Sequence, residues 1–470
     1  MTDAATDLYT PLFSQLFLPA WERLRGRDTL AILRSLLASQ WWSTDELRAH
    51  QETDLRALLH QAHQHVPAYR RRIDDAGVDP ATMRLADLSR LPLLTREAVR
   101  EEAASFVSTA GGPMLTKSTS GTTGTPFRFQ YSARSEIYRQ AVKLRGYGWA
   151  GAIPGKRTLH YWGPPAVAPA GWKARKVAMD RALRRELYLD CARQGPDDLE
   201  RTVAVLRKFQ PQVLVGFTQG TVELARYINE RGRRDWPALR VVCGAERLFP
   251  HDRPVLEAAF SEPGGVFETY GCREFMLMAS ECPAHAGLHT SMENLIVEIV
   301  DGNGRPVGPG ETGQVAVTDL HNPGMPLVRY LTGDLAQRLA DGDQRCACGR
   351  GLARIAGLEG RQSDLLYGHD GRRVPGLIIN ALFAAQGGRV RQFQLLQRKD
   401  RSLLLKVAPQ APVPPGGVPM ATIDADTQAM LEDVKRKVQS YFGALPLTVE
   451  VCADIPVLPS GKRRYVVVER

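Results

Sequence analysis

Residues 212–244 read "QVLVGFTQGTVELARYINERGRRDWPALRVVCG", and this stretch decides the fold. An apolar, β-rich run opens it, a helical pattern follows at 220–232, and a second β-rich run closes it at 239–244. Strands that alternate with helices of this length are typical of a layered α/β domain with a partly parallel sheet. Because "GVFETYG" at 265–271 follows a further helical stretch, we expect the layered domain to cover about residues 115–350.

The segments on either side have a different character. Residues 1–110 are mainly helical, since apolar residues such as Leu55 and Leu58 recur at helical spacing. The end of the chain contains two strands, a Pro-rich loop, a helix and a further strand, which together predict a compact α+β unit. The fold class is therefore α/β, with a large N-terminal domain over 1–361 and a small C-terminal α+β domain over 362–470.

The composition excludes several classes of protein. The chain of 470 residues has a formal net charge of +10, but its Lys and Arg residues are scattered and form no basic stripe with interleaved aromatics. We therefore expect no nucleic-acid partner. No apolar run is long enough to span a membrane, and the start lacks the pattern of a secretory signal, so a cytoplasmic protein is expected. Seven cysteines in so long a chain do not form the framework of a disulfide-rich protein.

The segment "LTKSTSGTTGTPFRFQYS" at 115–132 is rich in Gly, Ser and Thr. Glycines let a backbone approach a phosphate closely, and successive N–H groups with nearby hydroxyls form an anion-binding nest. The segment lacks the GK[ST] end of a P-loop. Taken alone, it is equally well interpreted as a phosphate-binding loop or as a flexible linker.

Five further motifs follow in order along the chain. They are "GAERLFP" from Gly244, "ETYGCRE" at 268–274, "RYLTGDLA" at 329–336, "GRQSDLL" at 360–366 and the closing "PSGKRRYVVVER". In this order they resemble the adenylate-forming ligase superfamily, and most of all its phenylacetate–CoA ligase branch with the CapK-like capsule-cluster relatives. The N-terminal pattern resembles the same branch, so the resemblance spans nearly the whole chain.

This resemblance implies a two-step reaction. An aryl or arylalkyl carboxylate would attack ATP to give an acyl-adenylate and pyrophosphate, and the thiol of CoA would then displace AMP. The implied cofactors are ATP, Mg²⁺ and CoA. In the alternative, the same adenylating chemistry passes the acyl group to a carrier-protein thiol or to an amine. A homodimer is a further hypothesis, and a catalytically silent binding protein is disfavoured by the intact motifs.

The resemblance also assigns roles to residues on the nucleotide side. Tyr270 would offer its ring to the adenine, Asp334 would accept hydrogen bonds from the ribose, and Glu274 would help to hold Mg²⁺. The other implied nucleotide-binding residues are Thr119, Ser120, Gly121, Thr122, Thr123, Gly124, Gly244, Ala245, Glu246 and Gly271.

Three implied residues lie towards the C-terminal domain. Arg361 would reach the nucleotide, and Asp364 would be the hinge about which a mobile C-terminal domain rotates between the half-reactions. Lys462 would bring positive charge to the phosphate during adenylation. Many superfamily members carry a lysine at the end of the phosphate loop, but here Phe127 follows Pro126, so this role falls mainly to Lys462.

A second group of residues suits a metal. "ECPAHAGLH" supplies Cys282, His285 and His289, and "CACG" supplies Cys346 and Cys348. Thiolates and imidazole are the usual ligands of tetrahedral Zn²⁺. Zinc-bearing relatives in the phenylacetate–CoA ligase branch share a similar pattern, which implies a structural zinc on Cys282, His289, Cys346 and Cys348 in the hairpin region of the layered domain. His285 stays open as the alternative histidine ligand.

Overall fold

The protein is described here by a computed structural model, which divides into two compact units. The first comprises Met1–Thr332 and Ala336–Leu358, and the second comprises Gly333–Leu335 and Glu359–Arg470. The structure describes residues 7–119, 127–163, 170–191, 196–340, 345–361, 365–371, 373–375, 379, 382–383, 390–410, 413–414, 423–456 and 464–469. No helix within these ranges is both long enough and apolar enough to cross a bilayer.

Helices form most of the chain before residue 110 and the layers around the sheet. The described α-helices are α1 Tyr9–Leu12, α2 Leu18–Leu24, α3 Thr29–Ser39, α4 Thr44–His65, α5 Pro67–Ala76, α6 Arg96–Glu101, α7 Ala133–Trp149, α8 Gly171–Arg184, α9 Pro196–Phe209, α10 Thr218–Glu230, α11 Asp252–Phe260 and α12 Ala425–Phe442. A π-helical turn, Phe13–Phe17, joins α1 to α2, and two 3-10 turns are Leu85–Arg90 and Ala103–Phe106. The Ser43 hydroxyl and the Glu46 carboxylate form a capping box that fixes the start of α4.

Most strands belong to one large sheet. The described strands are β1 Met114–Thr119, β2 Phe127–Ser132, β3 Thr158–Trp162, β4 Glu186–Asp190, β5 Val213–Phe217, β6 Arg240–Gly244, β7 Val266–Cys272, β8 Met276–Glu281, β9 Leu288–Thr290, β10 Leu295–Val300, β11 Thr312–Asp319, β12 Tyr330–Arg338, β13 Arg354–Arg361, β14 Leu365–Tyr367, β15 Arg373–Pro375, β16 Val390–Gln397, β17 Leu403–Pro409, β18 Leu447–Val451 and β19 Val466–Val468. Eleven of them form a sheet in the order β10-β11-β12-β13-β9-β8-β7-β6-β5-β3-β4.

The direction of the strands changes within this sheet. Strands β3 to β7 pair in parallel, as the alternating strand and helix pattern predicts. From β7 onward the pairs with β8, β9 and β13 are antiparallel. All five residues of β5 are buried because the sheet is covered on both faces. One face packs on α9 to α11 through residues such as Leu214, and the other packs towards α7 through residues such as Val215.

The second unit has its own core. Its four-stranded sheet has the order β18-β17-β16-β19, and apolar residues of α12 such as Val434 and Val438 share a buried cluster with Leu405 and Val407 of β17. The predicted α/β fold class is confirmed, with the large layered sheet and the small α+β unit both present. The predicted boundary at 361/362 lies close to the division between Leu358 and Glu359.

Candidate active site and metal cluster

The segment after β6 lies at the carboxyl end of the parallel strands, where ligands of open α/β sheets usually bind. Gly244 ends β6, and a Cβ at this position would lie 3.0 Å from Thr269 Oγ1 and 3.5 Å from the Trp162 ring. Ala245 has a left-handed backbone with φ of 66°. The chain therefore turns sharply here, and glycine keeps the backbone close to Trp162.

Glu246 has a structural role at the start of α10. Its Oε2 accepts a hydrogen bond of 3.1 Å from the Gln219 backbone N–H, and the Thr218 hydroxyl donates to the Glu246 carbonyl at 2.8 Å. A carboxylate at a helix N-terminus is stabilised by the free N–H groups and the helix dipole. The side chain of Glu246 thus fixes the turn that carries Gly244 and Ala245.

The buried face of β12 connects two predicted nucleotide-binding residues, Tyr270 and Asp334. Tyr330, Thr332 and Asp334 alternate along this strand and are buried, so they share one face. The Tyr270 hydroxyl lies 3.3 Å from Thr332 Oγ1, which itself donates to the Val315 carbonyl at 3.3 Å. Tyr270 of β7 is therefore joined to the strand that carries Asp334.

The turn between β7 and β8 places Glu274. The backbones of Gly271 and Met276 approach each other closely across this turn, because a Cβ on Gly271 would lie 2.0 Å from the Met276 carbonyl oxygen. Only glycine is compatible with that approach. Glu274 is buried in the turn, with 3% of its surface exposed.

Arg96, at the start of α6, is a residue of the candidate site that sequence reasoning missed. Its Nη2 donates to Glu274 Oε1 at 3.2 Å, and the Tyr330 hydroxyl donates to the same oxygen at 3.4 Å. The guanidinium also lies 5.6 Å from the centroid of the Phe127 ring. Arg96 therefore bridges the carboxylate of Glu274 and the first residue of β2. No local signal reveals it, because its partner is 178 residues away in the sequence.

The predicted phosphate loop connects β1 and β2. These strands pair antiparallel, with Thr119 opposite Phe127, so β1 and β2 are the two strands of one hairpin. Arg273 Nη1 donates to the Ser118 carbonyl at 2.9 Å, which fixes the base of this hairpin beside the turn that carries Glu274.

Several predicted residues lie outside the described part of the chain. They are Ser120, Gly121, Thr122, Thr123, Gly124, Asp364 and Lys462. Thr119 ends β1 and Arg361 ends β13, but their side chains are likewise outside the description.

The predicted metal ligands Cys282, His289, Cys346 and Cys348 come together. One ligand atom from each lies within 4.8 Å of all the others. Cys282 Sγ is 3.8 Å from Cys346 Sγ, and Cys348 Sγ is 3.4 Å from His289 Nε2. Cys282 follows β8, His289 lies in β9, and the other two precede β13, which pairs with β9. The sheet therefore brings residues that are distant in sequence to one point.

The chemistry of this donor set fits a tetrahedral zinc ion. His289 Nδ1 lies 2.9 Å from the Leu352 carbonyl, so this nitrogen donates and Nε2 faces the thiols as an acceptor. Burial lowers the pKa of His289 to about 4, which keeps the imidazole neutral as a ligand must be. Burial raises the pKa of the Cys282 thiol to about 12, so a cation is needed to hold it as a thiolate at neutral pH.

His285 is not a member of this cluster. Its Nδ1 lies 3.0 Å from Glu281 Oε1, and its Nε2 lies 3.2 Å from the Gly264 carbonyl. Both ring nitrogens are therefore engaged elsewhere. Of the two histidines that the sequence leaves open, the geometry favours His289.

Comparison with known proteins agrees with the motif pattern. Phenylacetate-coenzyme A ligase of Thermus thermophilus is 28% identical over 443 residues, which are 90% of this chain and 96% of the relative. Phenylacetate-coenzyme A ligase of Escherichia coli is 28% identical over 334 residues, or 69% of this chain and 73% of the relative. Protein CapK of Staphylococcus aureus is 20% identical over 82% of this chain and 80% of its own length. No family model matches the chain.

Among solved structures, a 2-hydroxyisobutyryl-CoA ligase in its postadenylation state has a TM-score of 0.72 at 21% identity, over 92% of this chain and 91% of the other. This likeness shows a common fold. The resemblance indicated by the motifs is thus confirmed, because the chain is similar to phenylacetate-coenzyme A ligases over most of its length.

Proposed function

We propose that the chain is an ATP-dependent acid–CoA ligase that activates a small aryl or arylalkyl carboxylate as its adenylate. The observation that carries this proposal is the cluster of Arg96, Glu274 and Tyr330 beside the base of the β1–β2 hairpin. It supports a site for phosphates and their cation in a chain that aligns with phenylacetate–CoA ligases over most of its length.

In the first step a carboxylate oxygen would attack the α-phosphorus of ATP. The bond to the β-phosphate oxygen breaks, and pyrophosphate leaves. Backbone N–H groups of residues 119–124 would cradle the phosphates, and Lys462 would supply positive charge to the reacting phosphate. Arg361 would add a second cation on the nucleotide side. In the second step the thiol of CoA would attack the acyl carbon, and AMP would leave.

Magnesium is the cation that this chemistry needs, and Glu274 suits it. A hard cation prefers carboxylate oxygens, and within the described residues no hydrogen-bond donor contacts Glu274 Oε2. Bound Mg²⁺ would neutralise charge on the phosphates. Arg96 and Tyr330 would hold the carboxylate in place through its other oxygen.

The nucleoside would lie against the carboxyl ends of β6 and β7. Tyr270 would contact the adenine together with the backbone from Gly244 to Glu246. Asp334, one step along the face shared with Thr332, would accept hydrogen bonds from the ribose hydroxyls. The hydroxyl of Tyr270 is held by Thr332, which supports a fixed position of its ring.

An aromatic pair supports an aryl substrate. The rings of Trp162 and Phe217 lie 4.3 Å apart at an interplanar angle of 60°, at the carboxyl ends of β3 and β5. Trp162 also lies next to Gly244, so this pair borders the backbone assigned to the nucleotide. Edge-to-face contact with an aromatic ring is favourable, and an aryl acid would therefore fit this wall.

The proposed activity is tested with a panel of aryl, arylalkyl and aliphatic carboxylates, scored by pyrophosphate release with and without CoA. We expect release that depends on the acid, and an acyl-CoA product only when CoA is present. Release that never yields an acyl-CoA would favour the alternative acceptor, a carrier-protein thiol or an amine. Absence of pyrophosphate release with every acid would contradict the proposal.

A variant tests the role of the proposed lysine. Lys462→Ala is expected to remove the pyrophosphate release while the protein stays folded.

A structural zinc ion on Cys282, His289, Cys346 and Cys348 is part of the proposal. With four protein ligands the ion would have no open position, so it would stabilise the fold and not take part in catalysis. Protein purified without chelator should contain close to one equivalent of zinc. Cys346→Ala should lose the metal and lower the temperature of unfolding, whereas Cys191→Ala, at a buried cysteine outside the cluster, should keep it. A wild-type protein without zinc would contradict this assignment.

Two further proposals concern the second domain and the location. We infer that the C-terminal domain rotates about Asp364 between the two half-reactions, as the resemblance implies. We also infer a cytoplasmic location, which the seven cysteines support because none of them forms a disulfide, as expected in a reducing compartment.

A further inference from the structure

A cavity lies between the N-terminal helices and the sheet, away from the carboxyl ends of the strands. It has a volume of about 140 Å³ and reaches α2, α3 and α7 on one side and β3 to β5 on the other. His160 and Val215 form part of its floor. None of the described residues assigned to the nucleotide or to the metal lines it.

The cavity wall carries more cations than anions. Its charged residues are Glu22, Arg27, Lys143, Lys156, Arg184 and Glu186. Lys143 has neither an ion pair nor a hydrogen bond among the described residues, and burial lowers its pKa more than the charge of Glu186 raises it. Lys156 Nζ makes one hydrogen bond, to the Gly151 carbonyl at 3.0 Å. Such half-buried ammonium groups are stabilised by an anion placed between them.

Two polar groups on the wall also have no partner in the described part of the chain. Glu22 is 7% exposed, and its Oε2 is buried without a hydrogen-bond donor. His160 Nε2 is likewise buried without a partner and lies 3.8 Å from Glu186 Oε2. A buried carboxylate oxygen without a donor is costly, so the cavity needs contents that donate as well as contents that carry negative charge.

The size of the cavity limits what it can hold. A cavity of about 150 Å³ accommodates benzene, so about six non-hydrogen atoms fit here. We propose that this cavity binds a small carboxylate that also carries a hydrogen-bond donor, of the size of a simple hydroxy acid or amino acid. Its carboxylate would lie against Lys143 and Lys156, and its hydroxyl or ammonium group would donate to Glu22.

This site is distinct from the proposed acyl pocket. His160 and Val215 precede Trp162 and Phe217 by two residues on the same face of β3 and β5, a separation of about 7 Å along each strand. The proposal does not depend on the ligase function, because it concerns binding in the absence of ATP.

The test is calorimetric titration of the full chain with L-lactate, glycine and propionate. Propionate matches lactate in size but lacks the hydroxyl donor, so its affinity should be about tenfold lower, because Glu22 stays unpaired. Glycine distinguishes an ammonium from a hydroxyl donor. If propionate binds as well as both of the others, or if none of the three binds at millimolar concentration, the proposal is wrong.

Variants locate the binding. Lys143→Met should weaken the binding of lactate or glycine by about tenfold or more, and Lys156→Met should weaken it less. Glu22→Gln should reduce the preference for lactate over propionate. Lys173→Met, at an exposed lysine of α8, is the matched control and should leave the affinity unchanged. Unaltered affinity in folded Lys143→Met and Lys156→Met proteins would overturn the assignment to this cavity.

Discussion

Two glutamates of the first unit are equally buried but lie in different surroundings. Glu274 and Glu293 each have 3% of their surface exposed. Both carboxylate oxygens of Glu293 accept hydrogen bonds. Arg145 donates to Oε1 at 2.5 Å and to Oε2 at 2.9 Å, and the Ser39 hydroxyl donates to Oε1 at 2.5 Å. Although burial alone would raise the pKa of Glu293, Arg145 and Ser39 lower it below its usual value.

In comparison, only one of the two carboxylate oxygens of Glu274 accepts hydrogen bonds from described residues. Arg96 and Tyr330 share its Oε1, and the side chain of Arg96 is 28% exposed, whereas that of Arg145 is 1% exposed. A saturated pair between α7 and the segment after β9 holds the fold together. A carboxylate with one oxygen left without a described donor suits a ligand, as proposed for Glu274. Burial alone therefore does not distinguish the two glutamates, but the number of hydrogen-bond partners does.

The largest effect is expected from breaking the saturated pair. Arg145→Met leaves Glu293 charged and buried without its partner, which should destabilise the protein by about 3–5 kcal/mol. Guanidinium unfolding of the full chain measures this as a shift of the first transition. The matched control is Arg201→Met, since the side chain of Arg201 is 73% exposed and its pair with Asp198 should contribute under about 1 kcal/mol. Equal shifts for the two variants would contradict the structural role of Arg145.

The second effect concerns the half-satisfied glutamate. Glu274→Gln keeps an oxygen for Arg96 and Tyr330 but removes the charge that a cation needs. We expect carboxylate-dependent pyrophosphate exchange to fall by at least about 100-fold, with little change in stability. Glu293→Gln is the same chemical change at the other glutamate and should do the reverse. If both variants lost exchange equally while folded, the distinction between the two carboxylates would be wrong.

The third effect tests how Glu274 is held. Arg96→Lys keeps a positive charge but loses the planar fork that reaches Glu274 and Tyr330 together. We expect the KM for magnesium-ATP to rise by about 3- to 10-fold, with a smaller change in kcat. Arg96→Met should raise it further. An unchanged KM in both variants would show that Arg96 does not position the carboxylate.

The sequence predicts some of these features for identifiable reasons. The alternation around Val213–Phe217 predicts the parallel strands, because strands covered on both faces are apolar throughout. The four proposed metal ligands are also recognisable, because cysteine and histidine are the usual zinc ligands and the resemblance to the phenylacetate–CoA ligase branch implies this set. Their spacing alone would not identify them, since Cys346 and Cys348 are closer in sequence than in the usual C-x2-C pair.

Other features depend on contacts between distant segments and leave no local pattern. Arg96 begins α6 and Arg145 lies within α7, and an arginine in a helix is normally exposed. Their partners lie 178 and 148 residues away. Glu246 is recognised by its motif, but its role as the cap of α10 depends on how the turn after β6 returns to that helix.

The smallest effect concerns a third carboxylate, that of the half-buried Glu268 of β7, which has fewer compensating partners than Glu293. Burial is the main cause that raises the pKa of Glu268 from 4.5 to about 7, and the nearby charge of Glu281 also raises it. The hydrogen bond from the Leu248 N–H and the charges of Arg247 and Arg253 lower the pKa, but by less. Between these values the folded state binds more protons than the unfolded state, so stability should fall as the pH rises from 4.5 to about 7.

Glu268→Gln removes this titration while keeping an oxygen for Leu248. Its stability relative to the wild type should therefore increase between about pH 5 and about pH 8, and the curves should be parallel above that range. Guanidinium unfolding at several pH values measures the difference. Glu230→Gln, at an exposed position at the end of α10, should follow the wild type throughout. A constant difference for Glu268→Gln over the whole range would mean that Glu268 is already ionised in the folded protein, like Glu293.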